Sequence, residues 1–116
     1  MDLAKRPLIR LRPEVWEEVQ KGLKEVVDDP QGTGHDLKEI QGLDIYGKTG
    51  TAQSVHSKPN HAWFVGFTRT LAGVAKQGSR SRNIAFCVFL EYGGSSENSV
   101  KMTRELLLKL QSLQIL

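Results

Sequence analysis

Cysteine is nearly absent. Cys87 is the single one in 116 residues, so no disulfide can close within the chain and stability must come from an apolar core. Set between Phe86 and Val88 in an apolar run, it reads as a buried, inert thiol. Long hydrophobic runs are missing as well. No stretch approaches the roughly 20 apolar residues that cross a bilayer, and Lys5, Arg6, Arg10 and Arg12 break up the first segment. The reading is a chain with neither signal peptide nor membrane anchor. A large charge of one sign is also lacking: 16 Lys and Arg stand against 13 Asp and Glu, a net +3. The basic residues are spread along the chain rather than gathered, so charge alone gives no case for nucleic acid. Repeats, linkers and low-complexity tracts are absent, which leaves one unit with no internal boundary. What is present, 39% hydrophobic and 25% charged residues, is the balance of a water-soluble globular domain. A domain of this size buries about two-thirds of the surface its unfolded chain exposes.

Pro13 opens a segment in which Val15, Val19, Leu23, Val26 and Val27 recur at helical spacing, with Glu14, Glu17, Glu18, Lys21 and Lys24 between them. That pattern predicts an amphipathic helix. Proline at the first helical position loses no hydrogen bond, and early glutamates suit the positive end of the dipole. Asp28, Asp29, Pro30 and Gly32 stop it, and residues 32–42 are polar and turn-rich. Three strands are predicted next: Leu43 to Gln53, then AWFVGFT from Ala62, then NIAFCVFLEY from Asn83. The third is apolar on both faces and is expected to be covered on both. Ser95 to Ser99 can cap a last helix, with Met102, Leu106, Leu110 and Leu113 as its buried stripe. The fold class is α+β: a three-stranded antiparallel meander flanked by an N-terminal and a C-terminal helix, both packed on one face.

The most informative residues are Gly47-Lys48-Thr49-Gly50-Thr51-Ala52-Gln53. On a strand, Thr49 and Thr51 project to one side and Lys48 to the other, while Gly50 leaves the backbone bare. Two hydroxyls and an ammonium can hold a carboxylate, and an unpaired edge N–H of Thr51 can face a developing oxyanion. The bland alternative is a polar edge strand with a glycine bulge. K-T-G is also the third motif of penicillin-binding proteins and class A β-lactamases, after S-x-x-K and S-D-N. Three stretches extend the match: PEVWEEVQKGLKEVV followed by GTG, GKTGTAQ with HAWFVGF ten residues on, and IAFCVFLEYGG before the last helix. In this order, from about Leu8 to Leu113, they resemble the transpeptidase domain of class B penicillin-binding proteins, especially the elongation-type enzymes that crosslink peptidoglycan.

The resemblance implies an edge strand of a five-stranded antiparallel sheet, forming one wall of the active-site cleft. Lys48 would supply positive potential near the S-x-N serine. Thr49, Gly50 and Thr51 would bind the substrate, the two hydroxyls holding the terminal carboxylate of a D-Ala-D-Ala stem peptide or a β-lactam. The Thr51 amide would be half of the oxyanion hole, the amide of a nucleophilic serine the other half. That serine is missing. None of Ser54, Ser57, Ser79, Ser81, Ser95, Ser96, Ser99 or Ser112 is followed three residues later by lysine. Ser81-Arg82-Asn83 and Ser96-Glu97-Asn98 match S-x-N in letters but follow K-T-G, whereas the family's triplet precedes it. A serine without an activating base cannot perform acyl transfer, so the chain by itself is expected to be inactive. Residues 1–116 then read as the C-terminal portion of a penicillin-binding transpeptidase domain, with the S-x-x-K and S-x-N parts absent. The parent enzymes are anchored in the cytoplasmic membrane and face the periplasm or cell exterior. The expected partners are the missing N-terminal part and, through residues 83–92, a second copy pairing along an open strand edge.

Other constellations carry less. His35, His56, His61 and Cys87 match no ligand spacing, so no metal is expected, and no cofactor is implied. His61 reads as a residue orienting the turn into the second strand. Trp63, Phe64 and Phe67 read as packing residues rather than base-stacking ones. Arg69, Lys76, Arg80 and Arg82 read as a solvated loop rather than a phosphate site. Two functions of different class remain: the transpeptidase portion, and a non-catalytic module that binds an anion or pairs through its open edge. A small nucleic-acid binder rests on pI and aromatics alone.

Overall fold

The computed structural model describes residues 8–71 and 83–116; the expected basic loop residues Lys76, Arg80 and Arg82 lie outside them. The elements follow the predicted order. Helix α1 spans Pro13–Asp28, a single 3-10 turn spans His35–Glu39, strands β1, β2 and β3 span Leu43–Ala52, His61–Thr70 and Ala85–Leu90, and helix α2 spans Ser96–Ser112. Pro13 occupies the first position of α1, where its missing N–H has no helical partner to lose. Ser95 caps α2, its hydroxyl accepting from the Glu97 amide at 3.2 Å.

The strands form one antiparallel sheet in the order β1-β2-β3. The register pairs Gly47 with Gly66, Lys48 with Val65 and Gly50 with Trp63 across β1 and β2, and Val65 with Cys87 and Trp63 with Phe89 across β2 and β3. Alternation sends Leu43, Ile45, Gly47 and Thr49 to one face with Ala62, Phe64 and Thr68, all buried. Val27 of α1, Leu37 and Ile40 around the 3-10 turn, and Val100 and Leu107 of α2 close over that face, with Phe64 at 0% exposure in the middle. Gly47 makes this possible: a Cβ there would stand 2.5 Å from Phe64 Cζ and 2.8 Å from the Val65 carbonyl. The Phe64 ring therefore lies directly under the start of the K-T-G segment.

Several expected burials are corrected. In α1 only Val27 is fully buried, and Val15 and Val19 remain 38% and 43% exposed. The helix enters the core with its last turn alone, while Trp16 near its start stacks on Phe67, 6.4 Å away, on the opposite face of the sheet. The buried stripe of α2 is Ser99, Val100, Thr103 and Leu107, not the predicted Met102, Leu106 and Leu113, which are exposed. The small hydroxyl residues let the helix approach the sheet. Ser99 Oγ donates to Trp63 O at 2.9 Å and Thr103 Oγ1 to Ser99 O at 2.7 Å, satisfying polar groups that burial would otherwise penalise. Cys87 is exposed, and β3 is covered on one face only, with Phe89 45% exposed. Among the described residues nothing covers the outer face over β3, and over β2 only the Trp16 ring reaches it, at Phe67.

That outer face is organised by its own aromatic contacts. Tyr46 and Phe67 stack at 4.6 Å with Arg69 above both rings, and Trp63 meets Phe89 at 4.3 Å. Phe64 is thus a core residue, while Trp63 and Phe67 are half-buried packing residues. His61 ties the start of β2 to the end of β3: the Tyr92 amide donates to its Nδ1 at 2.9 Å.

Candidate functional site

β1 is an edge strand among the described residues, and the direction of its free groups follows from the register. Gly42 O accepts from the Leu71 amide. Bonded pairs alternate in an antiparallel ladder, so Lys48–Val65 and Gly50–Trp63 exchange hydrogen bonds. Thr49 and Thr51 therefore direct their own N–H and C=O groups away from β2, to the open edge. The expected unpaired Thr51 N–H follows from this register.

The side chains divide as alternation requires. Thr49 is 8% exposed on the core side, Thr51 on the same side is exposed, and Lys48 is exposed on the outer side. Lys48 nevertheless reaches the edge, because its Nζ donates to Thr49 O at 2.9 Å. The ammonium and the two threonine amides thus meet along one line of backbone. Gly50 adds no side chain to this line, and a Cβ there would meet only Trp63 Cβ, at 3.5 Å. An extended ligand could lie along the edge and find donors from backbone, hydroxyl and ammonium groups, which is the chemistry of an anion or carbonyl-oxygen site.

The reading of the sequence did not foresee where the Thr49 hydroxyl points. Its Oγ1 lies 2.8 Å from Thr33 Oγ1, in the turn between α1 and the 3-10 segment. The turn is fixed by backbone bonds, with the Gly34 amide donating to Val26 O at 2.9 Å and the Gly32 amide to Asp29 O at 2.8 Å. His35 Nδ1, 3.0 Å from Val27 O, must be the donor because a carbonyl only accepts. The GTG triplet was the available signal, since two glycines around a threonine mark a backbone held too closely for side chains.

Behind the site, α1 is tied to the turn and to β1 by ions. Lys24 Nζ lies 2.8 Å from Asp28 and 3.5 Å from Asp44, and Lys38 Nζ lies 2.9 Å from Asp28. Burial pushes the Asp28 carboxyl up, but hydrogen bonds from Lys24 and Lys38 outweigh it and hold the group below the usual aspartate range. The hydrogen bond to Asp28 holds the Lys24 ammonium above the usual lysine range, with burial opposing. Among the described residues no three His, Cys, Asp or Glu side chains converge as a metal site would require, and no helix is long and apolar enough to cross a membrane.

Comparison with known proteins gives this geometry a context. A family model described as the penicillin binding protein transpeptidase domain matches residues 5–87. The fold is similar to Pseudomonas aeruginosa PBP2, solved in complex with WCK 5153, at 27% identity and a TM-score of 0.63 over 86% of this chain. It is also similar to the D,D-transpeptidase domain of a peptidoglycan glycosyltransferase from Eggerthella lenta, at 28% identity and a TM-score of 0.54 over 84% of the chain. In each case the alignment spans 20% of the solved chain. No curated protein matches the chain significantly.

Proposed function

The chain belongs to the penicillin-binding protein transpeptidase family, and we propose that it supplies the K-T-G wall of a serine D,D-transpeptidase whose nucleophile lies on polypeptide outside these residues. The observation that carries this reading is the open edge of β1, where the Thr49 and Thr51 backbone groups and the Lys48 ammonium come together. A stem peptide ending in D-Ala-D-Ala, or a β-lactam, would lie along that edge. The Thr49 and Thr51 hydroxyls would donate to its carboxylate, with Lys48 adding positive potential. When a serine hydroxyl attacks the scissile carbonyl, the carbonyl oxygen gains negative charge, and the Thr51 N–H is one of two donors that stabilise it. Removing one donor from an enzyme's oxyanion hole costs on the order of 10²–10³ in rate.

This role requires a complement. No serine here has the lysine three residues on that an S-x-x-K pair needs, and the solved relatives are about five times longer than the matched region. The outer face of the sheet, with Val65 50% and Phe89 45% exposed, adjoins Lys48 through the Lys48–Val65 pair. It is the surface on which the serine-bearing part would seat, and the free edge of β3 would take its next strand. The parent enzyme would be held at the cytoplasmic membrane by its other portions and work outside it. A second reading, a non-catalytic module that self-pairs or binds another chain through β3, draws on the same exposed edge.

Fluorescent penicillin followed by denaturing electrophoresis separates the two. The 116-residue chain alone should take no label. Mixed with a polypeptide bearing the S-x-x-K and S-x-N parts of a matching transpeptidase, it should raise labelling of that polypeptide well above background. Stable association with no gain in labelling would favour the non-catalytic module, and labelling of the 116-residue chain itself would overturn the proposal.

A further inference from the structure

Thr33 sits outside the K-T-G segment, 16 positions before Thr49, yet its hydroxyl is the contact the Thr49 hydroxyl makes, at 2.8 Å. A hydroxyl carries one proton, so the pair has two arrangements. In one, Thr49 donates to Thr33 and presents only lone pairs; in the other, Thr33 donates to Thr49 and the Thr49 proton is free to point elsewhere. A carboxylate only accepts hydrogen bonds, so it selects the second arrangement, and each bond in such a relay polarises the next. We propose that Thr33 is a positioning residue that sets the Thr49 hydroxyl as a donor to the substrate carboxylate, an inference that rests on the transpeptidase reading of the β1 edge.

The turn is built to deliver Thr33 to this place. A Cβ on Gly32 would stand 2.2 Å from Val26 O, and one on Gly34 would stand 3.2 Å from Val26 Cγ1 and 3.3 Å from Phe64 Cε2. Both neighbours are pressed against the end of α1, and Thr33 alone in the triplet carries a side chain. Thr49 is 8% exposed while Thr33 is exposed, so the Thr49 hydroxyl meets solvent only at the end of the pair that Thr33 occupies. Valine at position 33 keeps the shape and removes the donor, leaving the Thr49 oxygen without its partner; serine keeps the donor.

The test uses the isotope-labelled 116-residue chain and N-acetyl-D-alanyl-D-alanine as the probe, followed by amide shifts of residues 49–51 and by the exchange rate of the Thr49 hydroxyl proton. With the probe bound, the wild type and Thr33→Ser should show a Thr49 hydroxyl proton protected by the carboxylate, and saturable shifts. Thr33→Val should lose the protection and bind about fivefold more weakly, with amide positions elsewhere unchanged. Equal affinity for Thr33→Val and wild type, or no restoration by Thr33→Ser, would overturn the role of Thr33 while leaving the carboxylate site standing. A wild-type chain whose residues 49–51 do not shift at all would remove the carboxylate reading itself, and this proposal with it.

Discussion

Lys48 and Thr49 are neighbours in sequence and lie on opposite faces of β1, yet both are drawn to the same edge, one by its ammonium and the other by its carbonyl. Lys48 is exposed on the outer face, so Lys48→Ala should change the stability of the isolated chain by less than about 0.5 kcal/mol. In the complemented enzyme the same substitution should slow penicillin acylation on the order of 100-fold. An unchanged rate in stopped-flow acylation would show that the site is elsewhere. Asp28 bears on stability instead. Its carboxyl is held below the usual range by Lys24 and Lys38, so its contribution is present above the unfolded pKa, about 4, and is lost as pH falls through the lower folded value. Its side chain and that of Lys24 are 31% and 34% exposed, and solvent limits the gain to about 0.5–1 kcal/mol. Urea titration should find Asp28→Asn less stable by that amount at pH 7, with the difference shrinking as pH falls below about 4. At this scale the sequence was readable for the sides taken by Lys48, Thr49 and Thr51, because strand alternation dictates them. It was silent on Thr33, whose contact depends on how a turn folds back, and misleading on Cys87, whose apolar neighbours do not reveal that one sheet face is open.

Among the elements, both helices and all three strands could be located from periodicity and turn residues, and their ends moved by only a few positions. The phase of the helices could not. A stripe of Met102, Leu106 and Leu113 has helical spacing, but the sheet accepts the neighbouring stripe with Ser99 and Thr103, whose small side chains bond to backbone carbonyls. Pattern alone ranks leucine above serine for burial, whereas close approach of helix to sheet favours the smaller residue. β1 is positioned by Phe64 beneath Gly47, which leads to a contrast between two glycines of one segment. Gly47→Ala forces a carbon against the ring and should destabilise the chain by about 1–3 kcal/mol. Gly50→Ala meets only Trp63 Cβ at 3.5 Å and should leave the denaturation midpoint almost unchanged. Comparable losses from both would mean that Phe64 does not lie under β1.

For the molecule as a whole, one side of the sheet is a closed core and the other is an aromatic face with nothing over β3 among the described residues. Among the described residues the β3 edge beside Phe89 has no partner strand, and such an edge is a template for pairing with another chain. Phe89→Glu should therefore lower the sedimentation coefficient of any self-associated form while shifting the folded stability by less than about 1 kcal/mol. A large loss of stability would show that this face is already packed in solution. The fold class was accessible from sequence because the meander is built from strands that follow one another in the chain. The openness of the outer face was not, since residues that await a covering layer are as apolar as residues that already have one. In the proposed function these residues build a wall of a penicillin site and none of them is the nucleophile. Mass-spectrometric mapping of the penicilloyl adduct after complementation tests it most directly. The adduct should fall on the S-x-x-K serine of the added polypeptide, in amounts that depend on this chain; an adduct on any residue from 1 to 116 would refute the proposed wall.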